Sequence, residues 1–424
     1  MKYDLTLFLS GIAVFFIVVV YYAGPDLPVC IWQYFKGNFY QSKETSSFQA
    51  GDIIQVENET LTTARGAQRK IFLMTSKIWF QTLPQMSCVM HQLPKKMYLR
   101  DPERVVVDTK HSYLMQNKDL LDKYDVVVFH QADMPNLKTL NYLSKTRRTG
   151  QKFAYYTKES PYNLQALSRG KYDGIFDWVV NYKRDSDVFA PYGRYYRIGE
   201  EKINLRPLPT SVYLKNYNFT FESKDKLVVW TVSHCGTQRD LYVQKLLRYI
   251  PISIYGNCAK LFGQSGGQCK RFNEKCSQKL GRHKFALAFE NSFCKDYVTE
   301  KYWDALARGQ IPIVLGGANY DETLVIPNSF INALDFRFAE DLAKRLLFLA
   351  ENKEEYMKYH EWRNHYKLDY ITENRLRNEY VMEDLCRLAQ NPKEGQYRYK
   401  LSTFYGVRKN CEDKKALKAG YVRW

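Results

Sequence analysis

The chain is 424 residues long, 45% hydrophobic and 15% aromatic, with 63 Lys and Arg against 45 Asp and Glu for a formal charge of +18. This composition excludes a wholly disordered chain and suffices for two globular domains with cores of their own. The charge admits an anionic partner, but basic residues are scattered among acids, so a polybasic nucleic-acid arm is the weaker expectation.

In chain order, a short tail over residues 1–4 precedes "LTLFLSGIAVFFIVVVYYA" (Leu5 to Ala23), which carries no charge and has about the length that spans a bilayer as a helix. It is longer than a secretory apolar region and "YYAGPDLP" is a poor cleavage site, so it reads as a retained signal anchor with residues 1–4 cytoplasmic. Acceptor sequons at Asn58 ("NET") and Asn218 ("NFT"), together with nine cysteines, point to a body in the secretory pathway. Residues 24–69 are polar and without apolar periodicity, the pattern of a stem.

From Lys70 onward "KIFLMT", "RVVVDT", "DVVVFH", "KFAYYT" and "DWVVNY" alternate with polar helical stretches. A second series begins at Lys226 with "KLVVWTVS", "PISIYG", "KFALAFE" and "IPIVLGG". Each is the βαβ pattern of a mostly parallel sheet with helices on both faces. The predicted domains span 70–212 and 213–390, followed by a tail over 391–424, with ligand in the cleft between the domains.

The richest segment runs from Phe285 to Gly317, "FALAFENSFCKDYVTEKYWDALARGQIPIVLGG". A buried strand ends at Glu290 and Thr299 is a suitable N-cap for the helix "EKYWDALARG". Its polar cluster thus lies where unpaired amides and the helix dipole favour an anion, with Lys301 adding a mobile charge. Taken singly, Glu300 and Lys301 read equally well as a charged first turn, and Asn291 and Tyr297 as turn residues. Six polar groups between two buried strands weigh against that.

"FENSFCKDYVTEKYWDAL" followed by "IPIVLGG" resembles the signature of the α-1,3-fucosyltransferase family, glycosyltransferase family 10. The resemblance extends to "KLVVWTVSHC", "IYGNC", "FDWVVNYKRDSDVFAPYG", "YYTKESP", "DVVVFH", "NSFINALDF" and "YHEWR", covering roughly Lys70 to Arg387. It implies an α/β fold of two Rossmann-like domains facing across a cleft (GT-B type), preceded by a single transmembrane helix, in a type II Golgi membrane protein with a luminal body. The implied reaction is inverting transfer of L-fucose from GDP-fucose to the 3-hydroxyl of N-acetylglucosamine in glycoprotein glycans, slightly favouring the N-glycan core. No cofactor is required, a divalent metal is at most stimulatory, and nucleic acid is not a partner. The alternative is a catalytically inactive membrane-tethered glycan-binding protein with the same fold.

By position, Arg239, Tyr297, Glu300 and Lys301 match the family's donor-binding residues, with Asn291 nearby. Arg239 and Lys301 suit the charge that develops on the departing diphosphate. Glu290 either joins the donor or positions the loop. Glu159, in "TKESP", matches the family's base, although it also fits as a simple turn cap; Lys158 beside it departs from the family, and adjacent strand residues face opposite sides. His130 is either an acceptor contact or an ordinary strand-end histidine, and Asp185-Ser-Asp187 looks structural rather than metal-binding. From the family's cysteine pattern, Cys88 is expected to pair with Cys386, with Glu383 where a further cysteine would stand. Cys235, Cys258, Cys269, Cys276 and Cys294 resemble the plant and invertebrate branch; being odd in number, they need Cys411 or leave a free thiol. Disulfides are favoured there over zinc, because the spacings are irregular.

Overall fold

The computed structural model describes residues 54–55, 69–74, 87–92, 118–164, 167–200, 221–265, 267, 269, 273–370, 379–392 and 399–412. The expected anchor over 5–23, the sequons at Asn58 and Asn218, and all of the expected stem over 24–69 except residues 54–55 and 69 lie outside them; Ile54–Gln55, expected in the stem, pair with the first sheet. Among the described residues no helix is long and apolar enough to cross a membrane.

Two sheets carry the fold. The first contains β1 (Ile54–Gln55), β2 (Lys70–Met74), β3 (Val89–Gln92), β4 (Val126–His130), β5 (Lys152–Tyr156), β6 (Trp178–Asn181) and β7 (Val188–Phe189), in the order β1-β3-β2-β4-β5-β6-β7. Only the β1–β3 pairing is antiparallel. After β8 (Arg194–Arg197), the second sheet contains β9 (Lys226–Thr231), β10 (Ile252–Tyr255), β11 (His283–Phe289), β12 (Ile311–Leu315) and β13 (Ile331–Asn332). Its order is β10-β9-β11-β12-β13 and every pairing is parallel. Both are doubly wound: the chain reverses direction across each sheet between β2 and β4, and again between β9 and β11. Ligands of such sheets gather at the carboxyl ends of those strand pairs.

Parallel strands buried on both faces need cover on each. In the second sheet Val228, Trp230, Phe285, Leu287, Phe289, Ile313 and Leu315 point one way, into a core shared with Tyr242, Val243 and Leu246 of α3 (Gln238–Leu246) and Leu342, Leu346 and Leu349 of α6 (Ala339–Glu351). Ala288 and Val314 point the other way, onto Tyr302, Trp303 and Leu306 of α5 (Glu300–Ala307). Ile71, Leu73, Val126, Val128, Ala154, Tyr156, Trp178 and Val180 form the corresponding face of the first sheet.

What covers that face was not expected. Helix α8 (Glu379–Gln390), grouped with the second domain by sequence order, lays Val381, Met382, Leu385, Cys386 and Ala389 on the first sheet. Its helical spacing shows an apolar stripe but cannot say which sheet receives it. The disulfide between Cys88 and Cys386, expected from the family pattern, fixes it there. Glu383, where a further cysteine was expected, accepts a hydrogen bond from the Ser87 amide at 3.0 Å, so a polar contact stands beside the remaining bridge. The other disulfides are Cys235–Cys258, Cys269–Cys276 and Cys294–Cys411, the last completing the odd set.

The lobes meet through β8 and β14 (Tyr366–Asp369), paired antiparallel, and through Gly193, where a Cβ would stand 2.3 Å from the Trp303 ring.

At the amino ends of the second sheet, basic groups meet helix carbonyls. Lys224 Nζ donates to Gly281 O at 2.7 Å and Arg308 O at 3.1 Å, and Arg363 donates to Leu306 O at 2.9 Å, where the helix dipole favours cations. His283 and His360 are buried in the same region. Burial pushes His283 down to about 4 and, with Arg363 and Lys224 adding repulsion, His360 down to about 3. Both stay neutral in the folded protein at pH values where an unfolded histidine, titrating near about 6.5, is charged. The unfolded chain therefore binds more protons, and stability present above about pH 6.5 is lost as pH falls toward about 4. Urea midpoints should decline across that window, and His360→Phe should flatten the decline; an unchanged slope would show that His360 is not responsible.

Candidate active site

The carboxyl ends of β9 and β11 open on a cavity of about 200 Å³. His234 to Gln238 line it from the loop after β9, Glu290 to Phe293 from the loop after β11, and Tyr162 and Asn163 from the first lobe; Glu412 completes the wall.

Arg239 stands behind this wall, 2% exposed, and binds the two loops together. Its Nη1 donates to Phe289 O at 2.6 Å, at the end of β11, and its Nη2 to His234 O at 2.9 Å, in the loop after β9. Burial lowers its pKa, opposed by the charges of Glu290, Asp240, Tyr297 and Glu300. Arg239 Nε and Asn291 Oδ1 are buried and, among the described residues, have no hydrogen-bond partner. Such orphaned groups cost about 1–3 kcal/mol each. Of the two, Asn291 lines the cavity, so its oxygen is placed to meet a polar ligand.

Glu290 is the internal partner of the loop. It accepts from the Thr299 amide at 2.8 Å, from Thr299 Oγ1 at 2.9 Å and from Lys301 Nζ at 3.0 Å. Lys301 also donates to Thr299 Oγ1 at 2.6 Å and meets Glu300 at 3.3 Å. Burial raises Glu290 against the pull of Lys301. For Lys301, burial acts downward, but Glu290 and Glu300 outweigh it and hold the amine above its ordinary value. The N-terminus of α5 is thus capped by a carboxylate from the preceding strand end, with a cation held over it.

The glycines after β12 make room for this loop. A Cβ on Gly317 would lie 2.5 Å from the Phe293 carbonyl carbon and 2.6 Å from the Cys294 nitrogen, backbone that cannot swing aside. On the far side, Asp296, at φ 59°, is held by Arg184, whose Nη2 donates to it at 2.9 Å. Tyr297 is buried, with its ring centroid 4.9 Å from that of Tyr182 and 6.3 Å from that of Tyr192. Its phenol is pushed well up by burial and then by Glu290, Glu159 and Glu300, so it remains a neutral donor.

Glu159 follows β5 in the first lobe and is exposed; the amide of Asn163, a cavity residue, donates to it at 2.7 Å. Lys158 Nζ donates to Pro191 O at 3.1 Å and lies over the Tyr192 ring, away from Glu159 as expected, although both residues lie past the end of β5 and strand alternation is not the cause. Next to Glu159, the Ser160 and Ser292 hydroxyls hydrogen-bond at 2.8 Å and join the lobes across the cleft.

His130 is not among the cavity residues; its Nδ1 accepts from the Ala132 amide at 3.3 Å and caps a short turn. Asp187 accepts from the Val179 amide at 2.7 Å and Asp185 pairs with Lys183 at 3.3 Å. Among the described residues no three His, Cys, Asp or Glu side chains are grouped so as to hold a metal ion. Sequence reading missed Tyr162, Asn163, the backbone of His234 to Thr237, and Glu412. The neighbouring Cys411 was the available signal for the last.

Residues 68–193 match the fucosyltransferase N-terminal family profile, and residues 221–405 match the C-terminal profile of glycosyltransferase family 10 (fucosyltransferase). The chain belongs to glycosyltransferase family 10. It is 33% identical to alpha-(1,3)-fucosyltransferase C of Drosophila melanogaster over 65% of this chain and 63% of that protein. It is 35% identical to alpha-(1,3)-fucosyltransferase 7 of Mus musculus over 59% of this chain and 58% of that protein. The alignments thus span about three fifths of the length of these curated relatives. A crystal structure of an alpha1,3-fucosyltransferase covers 81% of this chain and 96% of its own, with 17% identity and a TM-score of 0.45.

Within this family site, the pair Glu290 and Lys301 is open to a direct measurement. Glu290→Ala leaves a largely buried ammonium without its main partner and should cost about 3–5 kcal/mol in urea unfolding. The double variant Glu290→Gln with Lys301→Met should lose clearly less than the sum of its two single changes; strict additivity would mean that the two do not act as a pair.

Proposed function

We propose that the protein is an inverting α-1,3-fucosyltransferase that moves L-fucose from GDP-fucose to the 3-hydroxyl of N-acetylglucosamine in glycoprotein glycans. The observation that carries this reading is the cavity at the carboxyl ends of β9 and β11, where the family's Glu290–Asn291 loop faces Asn163 and, through it, Glu159. The likeness to alpha-(1,3)-fucosyltransferases supports the reaction class.

In this reading Glu159 takes the proton from the acceptor 3-hydroxyl as that oxygen bonds to fucose C1 from the face opposite GDP. The bond from C1 to the diphosphate oxygen breaks and its electron pair leaves with GDP. Arg239 and Lys301 stabilise the charge that develops there, Lys301 by turning from Glu300 toward the diphosphate while keeping Glu290. Asn291, with its unsatisfied oxygen, and Glu300 accept donor hydroxyls. Those two cations take the place of a metal, so a divalent ion is at most stimulatory. This is supported by the occupation of Asp185 and Asp187 in contacts of the fold.

The cysteine pattern around the donor loop slightly favours the N-glycan core as acceptor. A type II Golgi membrane position with a luminal body accords with the apolar stretch over 5–23, the two sequons and the disulfides.

The full chain in detergent is to be assayed with GDP-fucose and a panel of N-acetylglucosamine-bearing glycans, with and without EDTA. Transfer should persist in EDTA, with inversion at fucose C1. Glu159→Gln should reduce the rate by about 10²- to 10⁴-fold while leaving GDP binding intact. Lys301→Ala should lose about 10²-fold or more in rate and also weaken GDP binding. GDP binding without transfer to any glycan would favour a glycan-binding protein, and an absolute metal requirement would overturn the proposed leaving-group chemistry.

A further inference from the structure

The end of the described chain is built into the cavity. Beyond α8, the Tyr399 amide donates to Phe176 O at 2.8 Å and Tyr405 is wholly buried, its ring 5.9 Å from that of Tyr155 in the first sheet. Helices α9 (Leu401–Phe404) and α10 (Val407–Asn410) then carry the chain to the loop after β11. There the Lys295 amide donates to Asn410 O at 2.7 Å, Cys411 is bonded to Cys294, and the Glu412 amide donates to Phe293 O at 2.9 Å. From the first lobe, Tyr162 Oη donates to Glu412 O at 3.0 Å. The backbone of Glu412 is thus held from both lobes, while no described residue is seen to bond its exposed carboxylate. It lies past residue 405, where the family match ends.

We propose that Glu412 binds the acceptor sugar, accepting hydrogen bonds from hydroxyls beside the one that is fucosylated. This rests on the transfer reaction proposed above. A carboxylate is an acceptor-only group and sugar hydroxyls are its natural donors. A place against the diphosphate itself would be repulsive, which leaves sugar hydroxyls as its partners, and the acceptor's are the ones that the measurement below separates from the donor's. Its position agrees, because Tyr162, which holds it, adjoins Asn163, the residue that orients Glu159. Glu412 therefore stands where the Asn163–Glu159 pair of the first lobe meets the loop after β11.

The test compares the full chain in detergent with Glu412→Ala and Glu412→Gln, reading KM for the glycan, KM for GDP-fucose, kcat and melting temperature. A hydrogen bond to a charged group corresponds to about tenfold to hundredfold in affinity. Glu412→Ala should raise the glycan KM by about that factor, and Glu412→Gln by less, with the GDP-fucose KM and the melting temperature unchanged. An unchanged glycan KM, or an equal rise in the GDP-fucose KM, would overturn the assignment. Should the parent transfer no fucose, binding of N,N′-diacetylchitobiose is measured by calorimetry. Weaker binding by Glu412→Ala upholds the assignment even though the reaction has failed; equal binding overturns it.

Discussion

A doubly wound sheet must be covered on both faces, and in this protein one face of the first sheet is covered from the wrong end of the chain. After completing the second lobe the chain returns, lays α8 on Ile71, Leu73, Val126 and Val128, and is fastened by Cys88–Cys386. This return determines where the chain can go next. Having reached the first lobe, residues 399–412 run beside it to the cleft and end against the donor loop. The cavity wall is thus a consequence of how the first core is closed, and the two lobes share chain in both directions.

The chemistry of the cleft follows from a local balance of charge. Two carboxylates and two cations, Glu290, Glu300, Arg239 and Lys301, are gathered within or behind one loop. Their commitments differ: Arg239 holds two strand-end carbonyls and Glu290 is surrounded by Thr299 and Lys301, whereas Lys301 touches Glu300 at a longer 3.3 Å. Burial raises Glu290, but both its oxygens already accept from Thr299 or Lys301, so this occupation, and not weak basicity, sets it apart as an internal partner. Glu159 has the opposite setting, exposed and oriented by a neutral amide. The proposal that places the base in the first lobe and the leaving-group charge in the second rests on that asymmetry.

Much of this was legible in the sequence because it depends on neighbours along the chain. The strands in "KIFLMT", "DVVVFH", "KFAYYT" and "DWVVNY", Thr299 at the N-cap position and the loop from Glu290 to Lys301 are all written in periodicity and turn residues, while "RVVVDT" lies outside the described residues. The family pattern further indicated the Cys88–Cys386 pairing. What stayed hidden depends on separations that no local window carries. The seat of α8 is decided by which apolar face lacks cover, and the place of Glu412 by a bridge across 117 residues. Likewise the roles of Glu290 were evenly open until its distances to Thr299 and Lys301 were known. Residue type announces that a carboxylate matters; only its surroundings distinguish a ligand contact from an internal strut.

Stabilising a leaving group electrostatically requires donors that do not relax when charge appears, and the donor loop is restrained from several sides. Gly317 lets backbone approach backbone, Arg184 holds Asp296 in a left-handed conformation that a free loop would abandon, and Cys294 joins the loop to the tail. The Arg184–Asp296 contact already ties this loop to the first lobe, and a second tie stands beside Glu159. There the Ser160 and Ser292 hydroxyls meet in a fully buried contact, one residue from Glu159 and one from Asn291. The Ser160–Ser292 hydrogen bond thus joins the Arg184–Asp296 contact and the β8–β14 pairing in fixing the spacing between Glu159 and the Glu290–Lys301 loop. Because it is short and buried, a shift of either lobe would leave two hydroxyls unsatisfied. The cleft thus carries an energetic preference for one separation of base and donor loop.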